Sequence, residues 1–131
     1  MIINWKRGVN VKIEYDASKP IYEQIIDEIK KMIVRGELSP GKKLPSQREM
    51  ARKVEVNPNT IQRAYREMEI MDLVETKRGL GTFIKDSNDV VNEISDEMAN
   101  KTVEKFITEM KSLGFNDKDI LAVLEKNLNK D

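Results

Sequence analysis

The strongest constraint on the fold is the order of capping signals, apolar runs and turns within residues 42–85. Ser46 is followed three residues later by Glu49, and this spacing predicts a capping box in which each side chain bonds the backbone N–H of the other residue. Asn57 then precedes Pro58, a pair suited to the N-cap and first helical position, because the N–H that proline lacks would be unsatisfied there anyway. The sequence therefore predicts two short helices in tandem.

Apolar residues recur at helical spacing after both caps, which gives each predicted helix one buried face. The two sets are Met50, Ala51 and Val54, and then Ile61, Ala64, Tyr65, Met68 and Met71. The segments LVET at residues 73–76 and TFIK at residues 82–85 have the composition of strands, and they flank the turn KRGLG. These elements predict a helix-turn-helix followed by a β-hairpin wing, with Tyr65 and Phe83 as core residues.

In that geometry the second helix enters the DNA major groove, and its N-terminal residues face base edges. The polar face of this helix carries Asn59, Thr60, Gln62, Arg63 and Arg66. Asn and Gln suit adenine edges, and Arg suits guanine. The alternative is a helical hairpin with merely charged outer faces, but the caps, the polar face and the basic turn occur in the order of a nucleic-acid reader.

Further candidate contacts flank the second helix. Arg48 can make a bidentate contact to phosphate or guanine, or it can pair with Glu49 or Glu55 on the surface. The basic turn can neutralise phosphates or enter a narrow minor groove, and its glycines let it bend. The predicted DNA-binding residues are Lys43, Ser46, Arg48, Asn57, Asn59, Thr60, Gln62, Arg63, Arg66, Lys77, Arg78, Gly79 and Gly81, with Lys42 as a further phosphate contact.

Three motifs resemble the DNA-binding domain of the GntR family of bacterial transcription regulators: LPSQREMA at residues 44–51, VNPNTI at residues 56–61 and GLGTF at residues 79–83. The NPNT turn, the RAY that follows and the short tail look most like the YtrA-type subfamily. The resemblance implies that Arg48 contacts DNA and that residues 42–44 form a short strand beside the wing. It also implies a homodimer, most often a repressor, at times controlling an ABC transporter operon. Many family members carry arginine in place of Pro58 and Gln62, so no operator sequence can be transferred.

The rest of the chain is predicted to be helical. Residues 18–20 start a helix with Pro20 in its first turn, Gly36 ends it, and its apolar stripe braces the helix-turn-helix. Residues 11–15 alternate apolar and polar side chains, as in a short strand or extended arm. After the wing, a long helix ends at Gly114 and a last helix is capped from Asn116. We predict a mainly α fold with a small wing: an N-terminal extension of unknown role (residues 1–11), a winged helix-turn-helix domain (12–86) and a helical dimerisation tail (87–131).

The tail of about 45 residues is too small to close a core of its own. It either folds back on the winged helix or pairs with a second copy of the chain. The apolar positions 99, 103, 106, 110 and 113 alternate steps of four and three, as in a helix-packing seam, and we favour pairing. The predicted dimerisation residues are Val91, Ile94, Met98, Val103, Phe106, Met110, Leu113, Ile120 and Leu124.

The charge distribution agrees with this division. The formal net charge is zero, but residues 1–86 contain 17 Lys and Arg against 13 Asp and Glu, whereas residues 87–131 contain 6 against 10. A basic N-terminal part and an acidic C-terminal part suit a DNA-facing domain joined to a tail that does not contact DNA.

The composition excludes several classes of function. There is no cysteine and no histidine, which excludes disulfides, thiol chemistry, histidine bases and most transition-metal sites. No apolar run approaches the roughly 20 residues of a membrane span, and no signal peptide opens the chain. Asp117 and Asp119 lack the glycine and glutamate of a calcium loop and are interpreted as caps. We expect no enzyme activity, cofactor, metal or membrane contact, and a cytoplasmic location.

Two functions stay open at this point. The first is a sequence-specific DNA-binding regulator that reads an inverted repeat as a homodimer. The second is a winged-helix scaffold for protein interactions that has no sequence-specific DNA binding. A small-molecule effector could bind between the tail helices or at the dimer seam, but no cluster of residues identifies one.

Overall fold

The computed structural model describes residues 15–130. Within this range the chain forms five helices and one antiparallel hairpin, which confirms the predicted mainly α fold with a small wing. The elements are α1 (Ile21–Val34), α2 (Gln47–Val54), α3 (Pro58–Ile70), β1 (Val74–Lys77), β2 (Gly81–Ile84), α4 (Asn88–Ser112) and α5 (Asp117–Leu128). The N-terminal extension, and all of the predicted strand or arm except Tyr15, lie outside the described residues.

Helix α1 begins one residue later than the sequence predicts. Pro20 has ψ 138° and therefore stays extended as the N-cap, without a side-chain capping bond. The predicted end is confirmed, because Gly36 adopts φ +80° and its N–H donates to the Ile33 carbonyl oxygen at 3.0 Å.

Helices α1 and α2 both pack on α3, which makes α3 the centre of the helix-turn-helix. The turn between α2 and α3 contains Glu55 at φ +54°, a left-handed conformation uncommon for a residue other than glycine. The most completely buried side chains come from every element of this part of the fold: Ile25, Ile29, Met32, Leu38, Leu44, Met50, Val54, Ile61, Met68, Val74 and Ile84. Full burial of such a side chain contributes about 1.5–3 kcal/mol, so this core fixes the position of α3.

The hairpin strands pair Val74 with Ile84 and Lys77 with Gly81 at their two ends. Strand β1 therefore begins and ends one residue later than predicted, and β2 begins and ends one residue earlier. The first strand starts later because the N–H of Leu73 closes the end of α3 by donating to the Met68 carbonyl oxygen at 2.9 Å. The expected short strand beside the wing is present as a single antiparallel bridge between Lys43 and Phe83.

The chain divides into two compact units, Met1–Ile94 and Ser95–Asp131, and the division falls inside α4. The predicted domain bounds at residues 11, 86 and 131 remain a prediction. No helix within residues 15–130 combines the length and the apolarity that crossing a bilayer requires.

The second unit contains most of α4, from Ser95 onward, and the whole of α5. Gly114 ends α4 at φ +90°, and α5 begins with a reciprocal capping box between Asn116 and Asp119, whose two bonds measure 2.9 and 3.2 Å. Both sequence predictions for this turn are confirmed. The capping bonds also give Asp119 a structural role at the helix start.

Candidate nucleic-acid interface

Helix α3 presents a polar face to solvent. Its start is fixed by Asn57, whose side-chain oxygen accepts the N–H of Asn59 at 2.8 Å, and Pro58 occupies the first helical position as predicted. Helical spacing puts four exposed side chains on one face: Asn59, Gln62, Arg63 and Arg66. Thr60, also predicted as a DNA contact, is half-buried at the edge of this face.

Tyr65 anchors the opposite side of α3. The side chain is 3% exposed, and its hydroxyl donates to the Pro45 carbonyl oxygen at 2.7 Å. Burial, and to a lesser extent the charge of Glu49, raise the pKa of this hydroxyl, so it remains a neutral donor. The bond ties α3 to the segment that leads into α2, and it confirms Tyr65 as a core residue.

The start of α2 differs in one detail from the predicted capping box. The Ser46 hydroxyl accepts the Glu49 N–H at 3.2 Å as expected. The Glu49 carboxylate, however, accepts the Ser46 hydroxyl at 3.1 Å, so it does not bond the Ser46 N–H. Among residues 15–130, Arg48 has no ion-pair partner, and its exposed guanidinium is available to a ligand.

The wing joins its two strands through a basic turn. The N–H of Leu80 donates to the Lys77 carbonyl oxygen at 2.9 Å, and the Lys77 ammonium lies 4.7 Å from the centroid of the Phe83 ring. Gly81 adopts φ +122°, a conformation that L side chains rarely adopt. The turn leaves Arg78 exposed at the tip.

A groove of about 680 Å³ lies between the wing and the start of α2. Its lining includes the lysines Lys42, Lys43 and Lys53 together with Ser46. The Lys43 side chain lies against the backbone of Gly81 in the wing. A Cβ atom at that glycine would be 2.7 Å from the Lys43 Cε atom. The groove thus brings the predicted Lys42, Lys43 and Ser46 together. Lys53 was not predicted, because its place in the groove depends on how α2 meets the wing.

Arg63 has a partner that the sequence pattern does not indicate. Its guanidinium carbon lies 4.0 Å from the centroid of the Tyr22 ring, and its Nη2 atom is 3.4 Å from the Tyr22 hydroxyl. The two residues are 41 positions apart, and only the packing of α1 on α3 brings them together.

The predicted dimerisation residues differ in how much of each remains exposed in the single chain. Ile94 and Ile120 are buried, whereas Val91, Met98, Phe106 and Met110 are half-buried. Three are exposed: Val103 (52%), Leu113 (71%) and Leu124 (39%). Helix α5 adds two exposed leucines outside the predicted dimerisation set, Leu121 and Leu128.

Comparison with known proteins agrees with this architecture. The model of the family described as "Bacterial regulatory proteins, gntR family" matches residues 21–84. The chain is 50% identical over 108 residues to the uncharacterized HTH-type transcriptional regulator YhcF of Bacillus subtilis, covering 82% of this chain and 89% of that protein. It is 46% identical over 77 residues to the HTH-type transcriptional repressor YtrA of the same organism, covering 59% of each.

Solved structures show the same relationship. A GntR family transcriptional regulator from Listeria monocytogenes superimposes with a TM-score of 0.81 at 43% identity, covering 86% of this chain and 98% of that one. The DNA-binding domain of AraR in complex with operator ORX1 superimposes with a TM-score of 0.51 at 26% identity, covering 56% of this chain and 94% of that one. The resemblance expected from the sequence motifs is confirmed: this chain is a winged helix-turn-helix transcription regulator that belongs to the GntR family, in its YtrA-type branch.

Proposed function

We propose that the chain is a sequence-specific repressor that binds an inverted-repeat operator as a homodimer. The observation that carries the proposal is the exposed polar face of α3, formed by Asn59, Gln62, Arg63 and Arg66, with a basic wing beside it. The N-terminus of a helix of this kind enters the major groove in helix-turn-helix proteins, where these side-chain types can read base edges.

Around α3, cationic and capping residues are positioned to hold the DNA backbone. Arg48, Lys43 and Arg78 carry exposed cations that can neutralise phosphates, and such contacts set register and orientation without reading sequence. The remaining proposed contacts serve the same purpose. Lys77 does so through its ammonium, and the others do so through polar or backbone groups: Ser46, Asn57, Thr60, Gly79 and Gly81.

The proposed dimer uses the exposed apolar side chains of the second unit. Val103, Leu113, Leu121 and Leu124 are each at least 39% exposed, and Leu128 is 73% exposed. Exposed apolar side chains of this number are unfavourable in water and favour association with an apolar partner. A second copy of the same surface satisfies two-fold symmetry, which matches an inverted repeat.

The repressor role is supported by the relative YtrA, which is named a transcriptional repressor. We propose that the target is an operon for an ABC transporter, in line with the YtrA-type motifs. In the source organism, deletion of the gene should raise the transcripts of the regulated operon. Unchanged or lowered transcripts of the operator-linked genes would argue against repression.

The test of DNA binding is the salt dependence of affinity for a mixed-sequence 30-base-pair duplex, measured by fluorescence anisotropy. Each neutralised phosphate contributes about 0.9 to the slope of log K against log salt. Arg48→Gln should therefore reduce the slope by about 0.9 if Arg48 contacts phosphate. Lys101→Gln, which removes one exposed positive charge from α4, is the matched control and should leave the slope unchanged.

Each possible result has a distinct meaning. Loss of slope in Arg48→Gln alone supports the proposed interface. Equal loss in both variants would show a diffuse charge effect with no defined interface. An unchanged slope in both variants would show that Arg48 neutralises no phosphate, and absence of duplex binding by the wild-type protein would contradict a phosphate-binding interface around α3.

A further inference from the structure

We infer that Tyr22 is a positioning residue for Arg63, holding the guanidinium where α3 presents it to a base pair and thereby setting specificity at that base pair. The inference rests on the proposed function, because the orientation of Arg63 matters only if α3 reads DNA. It adds a residue of α1 to the determinants of specificity, although α1 contributes none of the proposed DNA contacts.

The geometry fixes the guanidinium on two sides. The ring of Tyr22 lies beneath it at 4.0 Å, and the hydroxyl of the same residue is 3.4 Å from Nη2. That hydroxyl also donates to the Glu23 carboxylate at 3.2 Å, which restrains its direction. Since Tyr22 lies in the first turn of α1, and α1 packs on α3, the ring is held relative to the α3 backbone.

The contact leaves the edge of the guanidinium available. Arginine has five N–H donors in one plane, and stacking uses the face of that plane. Within residues 15–130 no carboxylate pairs with Arg63, so the donors that do not meet Tyr22 can bind the O6 and N7 atoms of guanine together. Contact with the ring thus restricts the rotation of a long side chain and leaves the donors that do not meet Tyr22 available to the base.

The consequence is a difference between two substitutions of the same residue. Tyr22→Phe keeps the ring and should keep the preference for the base pair that Arg63 reads. Tyr22→Leu removes the ring and should reduce that preference about two- to fivefold, the ratio that corresponds to a cation–π contact at an exposed site. Because Tyr22 is half-buried, Tyr22→Met provides a second ringless variant, and thermal unfolding checks that each variant is folded.

The experiment uses the duplex that the wild-type protein enriches from random sequences. The position read by Arg63 is the one at which Arg63→Ala loses its preference, and a second duplex carries one exchanged base pair there. The measured quantity is the ratio of affinities for the two duplexes. In the Arg63→Ala background, Tyr22→Leu should change this ratio no further, because the two residues act as one unit.

Three results would overturn the inference. The first is equal weakening on all duplexes by Tyr22→Phe and Tyr22→Leu, which would indicate a direct contact between the hydroxyl and phosphate. The second is a Tyr22→Leu effect that persists without Arg63. The third is an increased preference in Tyr22→Leu, which would mean that the ring withholds Arg63 from DNA. If the wild-type protein enriches no duplex, the proposed function fails before this test is reached.

Discussion

Replacing Tyr65 by phenylalanine removes a single hydroxyl from the joint between α3 and the start of α2. That hydroxyl is buried and donates to the Pro45 carbonyl oxygen at 2.7 Å across 20 residues of sequence. A hydrogen bond of this kind contributes about 1 kcal/mol, and leaving its acceptor unpaired costs about 1–3 kcal/mol. Pro45 is half-buried, so water can reach the carbonyl in part, and we expect Tyr65→Phe to lose about 1–2 kcal/mol.

The assay is urea unfolding followed by circular dichroism. Tyr65→Phe should lower the midpoint at an unchanged m-value, because the substitution alters stability without altering the surface exposed on unfolding. Tyr22→Phe is the matched control: its hydroxyl meets the exposed Glu23 carboxylate, and its loss should change stability by less than about 0.5 kcal/mol. Equal stability losses in the two variants would refute the assignment of Tyr65 as the anchor of α3.

The same hydroxyl makes stability depend on alkaline pH. Burial raises the pKa of Tyr65 above its ordinary value of 10.0, so the folded chain keeps a proton that the unfolded chain releases. Stability must therefore fall as the pH rises above 10, by up to about 1.4 kcal/mol per pH unit for one proton. Tyr65→Phe should fall less steeply between pH 10 and 12. Parallel slopes in wild type and variant would contradict the burial of this group.

Three further predictions test other parts of the structure. Asn57→Ala removes the cap of α3 and should cost about 1 kcal/mol in thermal or urea unfolding. Gly81→Ala forces φ +122° on an L residue and should cost about 1–3 kcal/mol, whereas Gly79→Ala, at φ +78° with nothing within 4 Å, should cost about 1 kcal/mol. A loss of stability that is smaller for Gly81→Ala than for Gly79→Ala would contradict the wing geometry. Leu121→Asp should shift sedimentation from dimer to monomer at micromolar concentration while leaving the unfolding of the first unit unchanged, and a persistent dimer would place the interface elsewhere.

Features governed by local chemistry were predictable from the sequence. The caps at Asn57 and Asn116 follow from side chains that bond an N–H two or three residues away, which sequence spacing specifies directly. The glycine ends of α1 and α4 are predictable for the same reason, because left-handed conformations favour glycine.

Features that depend on packing between elements were not predictable. The stacking of Arg63 on Tyr22 and the entry of Lys53 into the groove arise from how separate helices and the wing meet. The start of α1 was also not predicted in detail, because the spacing of apolar residues did not indicate that Pro20 would keep an extended ψ and remain outside the helix. In the tail, apolar spacing predicted the helices, but it did not indicate which apolar side chains are covered within one chain, since Ile120 is buried whereas Leu121 and Leu128 are exposed.

The proposed function requires that α3 reads DNA sequence within a two-fold dimer. Selection of random duplex DNA by the purified full chain, followed by sequencing of the retained duplexes, tests it most directly. We expect an enriched inverted repeat whose half-sites are separated by about one helical turn or a multiple of it. Retention without enrichment, abolished by moderate salt, would contradict sequence reading by α3.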